Sequence, residues 1–312
     1  MAKSEPALIA IAYRYFMAVA ELGSVRAASR ELNVAASAIS RQLIQLEDAL
    51  GNRLFDRSGR GLKLAPAGEV LLRGLRRSAQ GHENTLDELA ALRKLTRGLL
   101  RIATVESVSG AILPDMLEHF MRSYPGIQLS VTVTGSEAAT QLVREHQAEL
   151  AFTFNPSSMD GLEALASRDL ELGAIMAPHH PLAKAKRLSL AECAAHPLAW
   201  PSPGLSLRAI LESAPAGRKV RPAFECSSLR LMAALASRGS CIAFQTVIGI
   251  ERELAAGTLV FVPLSGKQLP VDRLRVVARP GSVARPAVKA FQGIVEHYLL
   301  KLWNAAQKVH GP

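Results

Sequence analysis

The chain has 312 residues, with 37 Lys and Arg against 27 Asp and Glu and a formal net charge of +10. This length exceeds what one hydrophobic core usually serves, so at least two domains are expected. Hydrophobic residues make up 49% of the chain, which is ample material for a hydrophobic core. The positive charge favours an anionic partner, but it is spread along the whole sequence and does not locate a site.

Cysteine spacing and hydropathy exclude further classes. Cys193, Cys226 and Cys241 are far apart and form no CxxC pair, so neither a cysteine zinc site nor a disulfide framework is expected. Buried free thiols are the favoured interpretation, with a redox-sensing thiol as the alternative. No apolar run approaches the ~20 residues of a membrane span. Glu5 and Arg14 interrupt a signal-peptide pattern, so a cytoplasmic protein without a membrane partner is expected.

Three helices are predicted before residue 51. The first has apolar residues at helical spacing and ends at Gly23, and Ser24 is placed to cap a short second helix. Asn33 and Val34 then form a turn, because Asn tolerates a left-handed backbone. The third helix runs from about residue 36 to residue 50, and its buried side is predicted to consist of Ile39, Leu43, Leu46 and Leu50.

The polar side of the third helix, together with the segment after it, is typical of a DNA-binding surface. Apolar residues flank the turn-rich stretch SGRG at residues 58–61, which predicts a β-hairpin wing. Cationic and amide side chains on a protruding helix and wing can contact phosphates and base edges. The alternative is a small helical domain with charged solvent-exposed faces. The predicted DNA-binding residues are Ser24, Arg26, Ser37, Ser40, Arg41, Gln42, Gln45, Arg57, Arg60 and Lys63.

Three stretches, GSVRAAS, SAISRQLIQLEDALGNRLFDR and LAPAGEVLL, resemble the winged helix-turn-helix of LysR-type transcriptional regulators. The resemblance implies that Ser37, Ser40 and Arg41 lie on the DNA-recognition helix and that Arg57 begins the wing. There are two departures from the family pattern. Many members have Ser-Gln at residues 35–36, where this chain has two alanines, which removes a helix cap worth ~1 kcal/mol. An alanine also replaces the usual Thr at residue 65.

A long helix is predicted from about residue 66 to residue 96. Its apolar positions alternate steps of three and four residues, the heptad pattern of a coiled coil, at Leu72, Leu75, Ala79, His82, Leu86 and Leu89. Such a seam needs a partner, which is either the same helix of a second copy or the helix's own domain. The resemblance favours a homodimer, since family members pair through this helix, and it leaves a homotetramer open.

From Gly98 onward, strands alternate with helices, which predicts a mostly parallel sheet with helices on both faces. The predicted strands are 99–105, 127–134, 149–154, 170–176, 198–200, 219–224, 241–245 and 274–278, and the predicted helices are 112–124, 137–147, 228–237 and 287–303. A chain that leaves one α/β lobe and returns to it forms a two-lobed clamp.

This half also resembles the family in RIATVESVSGAILPDML, EHQAELAF and APHHPLA. The resemblance implies an α/β effector domain with the fold of type 2 periplasmic solute-binding proteins. The expected organisation is an all-α winged helix-turn-helix domain at 1–66, a linker helix at 67–97 and an effector-binding domain at 98–312. Within that domain, lobe I is expected at about 98–166 and 268–303, and lobe II at about 167–267.

Ligands of such clamps lie at the carboxyl ends of strands and near helix N-termini. Hydroxyl and amide side chains occupy several of these places, and the alternative is that they are ordinary helix caps and loop hydroxyls. Hydroxyl-rich loops on a basic protein favour a small carboxylate or another anion as the ligand. The predicted effector-binding residues are Ser107, Ser109, Thr134, Gly135, Thr153, Ser202 and Gln245.

Enzymatic and metal-binding functions are not favoured. The sequence has no GxSxG, Walker, HExxH or paired-carboxylate motif, and His179-His180 has no third ligand at useful spacing. No cofactor is expected. Two classes remain. The first is a ligand-responsive transcription factor, whose partners would be double-stranded DNA, a small-molecule co-inducer, a second copy and RNA polymerase. The second is a solute-binding protein that uses only the clamp, which the N-terminal 66 residues and the missing export signal disfavour.

Overall fold

The structure is a computed structural model that describes residues 11–58, 61–91, 98–214, 216–265, 271–282 and 285–309. The chain divides into two compact units, Met1–Leu86 and Asp87–Pro312. Among the helices in the described ranges, none combines the length and the apolar character that crossing a lipid bilayer requires.

The N-terminal unit has the predicted order of helix, turn, helix and wing. Its elements are α1 (Ile11–Leu22), α2 (Val25–Leu32), α3 (Ala36–Leu50), β1 (Phe55–Ser58), β2 (Gly61–Leu64) and α4 (Pro66–Ala91). The two strands pair antiparallel. One apolar core holds these elements together, and its buried members are Phe16, Val19, Ala28, Ile39, Leu43, Leu46, Leu54, Leu72 and Leu75.

Local sequence signals explain the helix boundaries. The Ser24 hydroxyl accepts a hydrogen bond from the Ala27 amide and caps α2. Asn33 ends that helix with φ of 52°, in the left-handed region predicted for it. Gly51 ends α3 in the same conformation. The buried side of α3 was predicted correctly except for Leu50, which is 40% exposed because the helix ends there and extends beyond the core.

The first turns of α4 pack on their own unit. Leu72 and Leu75 are buried in the N-terminal core. These two positions of the heptad pattern therefore pack on the helix's own domain and not on a second copy. Ala79 is half-buried. The side chains of His82, Leu86 and Leu89, and residue 96, lie outside the part of the chain that the structure describes.

Lobe I of the second unit is a five-stranded mixed sheet in the order β4-β3-β5-β12-β6. Its strands are β3 (Gly98–Thr104), β4 (Ile127–Val133), β5 (Leu150–Phe154), β6 (Glu163–Leu170) and β12 (Asp272–Ala278), and its helices are α5 (Glu106–Ser109), α6 (Ile112–Ser123), α7 (Ser136–Arg144) and α12 (Pro286–Val309). Strand β3 runs parallel to β4 and β5, whereas β12 runs antiparallel to β5 and β6.

Lobe II contains the remaining elements and has its own apolar core. Its strands are β7 (Gly173–Met176), β8 (Ala199–Pro201), β9 (Phe224–Cys226), β10 (Ala243–Gln245) and β11 (Val260–Pro263), and its helices are α8 (Leu190–Cys193), α9 (Ser206–Ser213), α10 (Leu229–Ser237) and α11 (Glu251–Ala255). The sheet order is β10-β7-β11, with a separate parallel pair of β8 and β9. The chain crosses between the lobes after β6 and again before β12, as the two-lobed prediction requires.

The predicted direction of strand pairing and several predicted strands were wrong. The pairs that β7 and β12 form are all antiparallel, so the prediction of a mostly parallel sheet fails. Strand β6 was missed because it lies at the edge of its sheet and carries charged residues, and the short β11 was also missed. The predicted strand at 219–224 starts instead at Phe224, after a 3-10 turn at Gly217–Lys219. Pro222 has no N–H to donate, which disfavours a strand there.

Candidate functional site

One face of α3 is open to solvent and carries predicted DNA-binding residues. Ser37, Arg41 and Gln45 are exposed and lie one helical turn apart, whereas Ile39 and Leu43 face the core. This arrangement leaves a cation, a hydroxyl and an amide together on a convex surface, which is the chemistry that contacts phosphates and base edges.

Ser40 and Gln42 are half-buried, and Gln42 donates a 3.0 Å hydrogen bond to Gln45 Oε1. Arg26 on α2 and Lys63 on β2 are exposed. Ser24 is half-buried and serves as the cap of α2. The remaining two predicted residues are Arg57 and Arg60. The backbone of Arg57 pairs with Leu62 in the wing, but its side chain and the whole of Arg60 lie outside what the structure describes.

Sequence reasoning missed Glu47, which attaches the wing to α3. Its Oε1 atom accepts hydrogen bonds from the amides of Leu54 at 2.7 Å and Phe55 at 3.3 Å. The start of β1 is therefore held against the helix that carries Arg41. The sequence contains no local signal for this role, because the partners are backbone amides that lie beyond the end of α3 at Leu50.

A cavity of about 490 Å³ lies between the two lobes of the second unit. Its walls come from the carboxyl ends of β3, β4, β5 and β10, from the first residue of β12, and from the N-termini of α5, α7, α9 and α10. This is the position that the prediction gave for an effector pocket. A cavity of this volume falls within the range typical of small-molecule sites.

Four predicted effector-binding residues line this cavity: Ser107, Thr134, Gly135 and Gln245. Ser107 and Gln245 are 8% and 3% exposed. Among the described residues, the side chains of Ser107, Thr134 and Gln245 have no hydrogen-bond partner. These polar groups are open to the cavity, so a ligand bound there can form hydrogen bonds with them.

The other three predicted residues do not line the main cavity. The Ser109 hydroxyl donates to the Glu106 carbonyl at 2.8 Å, and the residue borders a small neighbouring cavity of about 70 Å³. Thr153 is fully buried and donates to the Ser136 carbonyl at 3.1 Å. The Ser202 amide donates to the Cys226 carbonyl, which fixes the loop after β8. Ser109 and Thr153 are thus hydroxyls that bond to neighbouring backbone, and Ser202 contacts the fold through its amide.

Two acidic residues at the cavity were missed. The first is Glu106 at the start of α5, whose carboxylate accepts hydrogen bonds from the Ser228 hydroxyl at 2.8 Å and the Leu229 amide at 2.7 Å. It thereby caps α10 and joins lobe I to lobe II. These partners lie more than 120 residues along the chain, so no sequence pattern connects them.

The second is Asp272, the first residue of β12, which is 2% exposed. Its Oδ1 atom accepts hydrogen bonds from Asn155 Nδ2 at 3.0 Å and the Ser206 hydroxyl at 3.3 Å. These two partners belong to different lobes. Burial raises the pKa of the Asp272 carboxyl to about 7, against the lowering effect of the Ser206 hydrogen bond.

Two of the three cysteines are buried free thiols, as predicted. Cys193 and Cys241 lie in the interior of lobe II, whereas Cys226 is half-buried. Desolvation raises the pKa of Cys193 to about 12 and also raises that of Cys241. Within the described ranges, no three His, Cys, Asp or Glu side chains are grouped so that they could hold a metal ion.

Comparisons with known proteins agree with this architecture. Residues 12–69 match the bacterial regulatory helix-turn-helix proteins of the lysR family, and residues 93–299 match the LysR substrate binding domain. The chain is 30% identical over 286 residues to a RuBisCO operon transcriptional regulator of Allochromatium vinosum, covering 90% of this chain and 93% of that protein. It is 28% identical to a probable nitrogen assimilation transcriptional activator of Synechococcus elongatus, covering 88% and 90%.

Solved structures show the same fold over nearly the whole length. Full-length CbnR in complex with its target DNA superposes with a TM-score of 0.61 at 22% identity, covering 92% of this chain and 98% of CbnR. A full-length OxyR variant from Pseudomonas aeruginosa superposes with a TM-score of 0.67 at 18% identity, covering 91% and 93%. Both halves of the chain match, in the order expected of one protein family. The chain belongs to the LysR family of bacterial transcriptional regulators.

Proposed function

We propose that this regulator binds double-stranded DNA through α3 and the wing. The observation that carries the proposal is the exposed row of Ser37, Arg41 and Gln45 on a helix whose opposite side is buried. Arg41 would contact a phosphate or a guanine edge, and Lys63 on the wing would contact the backbone. Ala36 stands where many family members have a glutamine and offers no polar group to a base, so base reading would depend on the residues from Ser37 onward.

The cavity between the lobes would hold the small-molecule co-inducer. Ser107, Thr134 and Gln245 face it without partners among the described residues, so a ligand would satisfy groups contributed by both lobes. Because Glu106 and Asp272 also join the lobes, a ligand bound between them would favour one relative position of the lobes. A ligand changes DNA binding only if it prefers one conformation over the other.

Pairing of two copies through α4 would place two recognition helices on one DNA site. Half-sites separated by one helical turn, or by a multiple of it, suit such a dimer. The dimer, a tetramer built from it and contact with RNA polymerase are parts of this proposal. So is action in the cytoplasm, where bacterial DNA lies.

A gel shift with the DNA upstream of the chain's own gene tests the proposal. Arg41→Ala is expected to weaken binding about tenfold and to reduce the salt dependence by the equivalent of about one phosphate contact. The matched control is Arg122→Ala, which removes another exposed arginine from α6 in the other unit and is expected to leave the affinity unchanged. Equal affinities of the two variants would refute the assigned role of α3. Failure of the native protein to retain any DNA at low salt would favour the solute-binding alternative.

A further inference from the structure

The cavity between the lobes is acidic, although the protein as a whole is basic. Among its lining residues the charged side chains are Glu106 and Asp272, and the lining set includes no Lys, Arg or His. Both oxygens of Glu106 accept hydrogen bonds from the first residues of α10 and its cap. The negative charge of Glu106 is therefore largely engaged by lobe II.

Asp272 differs from Glu106 in having one carboxylate oxygen without a protein partner. Both hydrogen bonds that the residue accepts through its side chain end on Oδ1, and Oδ2 accepts none from the described residues. The side chain is almost completely buried and borders the cavity. An ionised carboxylate in this environment is costly unless a donor reaches it, which explains why its pKa is raised to about 7.

Two arginines next to lining residues pair with acids outside the cavity, and Arg230 borders the small neighbouring cavity instead. Arg208 on α9 pairs with Glu212 at 2.7 Å and Glu225 at 3.0 Å. Arg273, which follows Asp272, turns to the surface and pairs with Asp169 on β6, with Nη2 and Oδ2 2.8 Å apart. No charged side chain of β5, β6 or α9 contributes to the shift in the pKa of Asp272.

Two helix N-termini without a side-chain cap, those of α7 and α9, lie at the cavity and favour the opposite charge, since each carries the equivalent of about half a positive charge. Ser206, the first residue of α9, donates its hydroxyl to Asp272, so the N-terminus of α9 already faces that carboxylate. The N-terminus of α7 remains for a ligand. A carboxylate ligand would gain this interaction but would meet the full charge of ionised Asp272. The charge of ionised Asp272 is larger than the partial charge at the N-terminus of α7 and is better buried. At neutral and higher pH, repulsion by Asp272 therefore outweighs the attraction of the helix for an anion.

We propose that the ligand of this cavity carries a hydrogen-bond donor head group, a protonated amine in preference to a carboxylate, which binds Asp272 Oδ2. This inference rests on the proposed role of the cavity as the effector site, and it replaces the anionic ligand that the hydroxyl-rich loops favoured. The ligand also carries an apolar part, because one portion of the wall is built from Val105, Val133, Phe154, Leu205, Leu207 and Leu229. Ser107, Thr134 and Gln245 stay available to its other polar groups.

Three probes that share one apolar body test the head group: benzylamine, benzyl alcohol and benzoate. Their binding to the full-length protein is measured by calorimetry at pH 6 and pH 8. Benzylamine stays protonated over this range, so its affinity is expected to rise about tenfold as Asp272 ionises. Benzoate is expected to bind more weakly than benzylamine at pH 8 and to lose affinity as the pH rises.

Asp272→Asn is the diagnostic variant, and Asp115→Asn, an exposed position on α6, is its matched control. Asp272→Asn is expected to lower the affinity for benzylamine at pH 8 about tenfold and to abolish the pH dependence. Asp115→Asn is expected to change neither. Tighter binding of benzoate than benzylamine at pH 8, an unchanged benzylamine affinity in Asp272→Asn, or no binding of benzylamine at millimolar concentration would each overturn the inference.

A second variant separates this inference from the function of the cavity. Thr134→Trp fills the cavity from a half-buried position, and it is expected to abolish the binding of every probe. If Thr134→Trp abolishes binding but benzoate is the preferred probe, the cavity remains the effector site and only the assigned head group fails. If binding persists in Thr134→Trp, the probes bind elsewhere, and the head-group inference is refuted.

Discussion

The two units present their candidate functional groups in opposite ways. In the N-terminal unit these groups lie on one exposed face of a single helix, where Ser37, Arg41 and Gln45 follow each other at intervals of one turn. In the second unit they lie buried in a cavity and come from strands and helices far apart in the chain. A convex site can be predicted from periodicity within one element, whereas a concave site depends on which elements the fold brings together.

The largest expected effect on stability concerns Asp272 in the buried site of the second unit. The pKa of Asp272 is raised from 3.8 to about 7, so the folded protein loses stability as the pH rises through this range, and the loss is complete above the folded pKa. Asp272→Asn removes this loss. We compare the free energy of unfolding of Asp272→Asn with that of the native chain. The difference in favour of the variant is expected to be about 3 kcal/mol larger at pH 8 than at pH 5, since each pKa unit corresponds to about 1.4 kcal/mol.

Urea denaturation of the full-length proteins at both pH values measures this gain. Asp115→Asn serves again as the control, and its difference from the native chain is expected to stay constant with pH. A gain for Asp272→Asn that does not grow with pH would mean that the buried carboxyl keeps its ordinary pKa.

A medium effect tests how tightly the N-terminal unit is packed behind its exposed face. A methyl group at Gly68 would lie 2.1 Å from the Leu54 carbonyl oxygen, whereas at Gly74 on the same helix it would meet nothing within 4 Å. Gly68→Ala is therefore expected to lower the free energy of unfolding by about 2 kcal/mol through overpacking. Gly74→Ala is expected to raise it by about 1 kcal/mol, because Ala favours the helix.

The same substitution thus has opposite signs two turns apart on α4. Calorimetric unfolding of both full-length variants checks the pair. A decrease of similar size in both would show that the helix, rather than its contact with the start of the wing, determines the cost.

The smallest expected effect concerns the start of the recognition helix. Ala35 occupies the N-cap position of α3 and makes no side-chain hydrogen bond. Ala35→Ser is expected to raise the free energy of unfolding by about 1 kcal/mol, because a serine hydroxyl can accept from a free amide of the first turn. Ala38→Ser, inside the same helix, is the control and is expected to give no gain. Equal changes in thermal unfolding for both variants would exclude a capping effect.

Much of the N-terminal unit was predictable because its signals are local. Ser24 caps α2, Asn33 adopts a left-handed turn and Ile39 faces the core, and each of these follows from a few neighbouring residues. For α4, the heptad pattern left two alternatives open, a second copy of the helix or the helix's own domain. Leu72 and Leu75 complete the core of their own unit, and the sequence could not decide this because an apolar stripe on a helix does not specify what it packs against.

In the second unit, the sequence predicted the positions of Ser107, Thr134 and Gln245 at the ends of strands, and it failed to identify the acidic pair. Thr153 and Ser202 carry the same chemistry as the residues that line the cavity, yet Thr153 donates its hydroxyl to the backbone and Ser202 lies outside the lining. Whether a hydroxyl faces a cavity or a neighbouring carbonyl depends on the packing around it.

By itself, the sequence determined the order of the domains, the helix-turn-helix and wing, and the two-lobed α/β clamp, because periodicity, caps and turn residues act over a few positions. The resemblance of its motifs indicated the family. Only the tertiary structure decided the character of the cavity. It brought Glu106 to the start of α10 and Asp272 between Asn155 and Ser206. The physical reason is that burial and charge at a point depend on every group that surrounds it, and these groups come from both lobes of the chain.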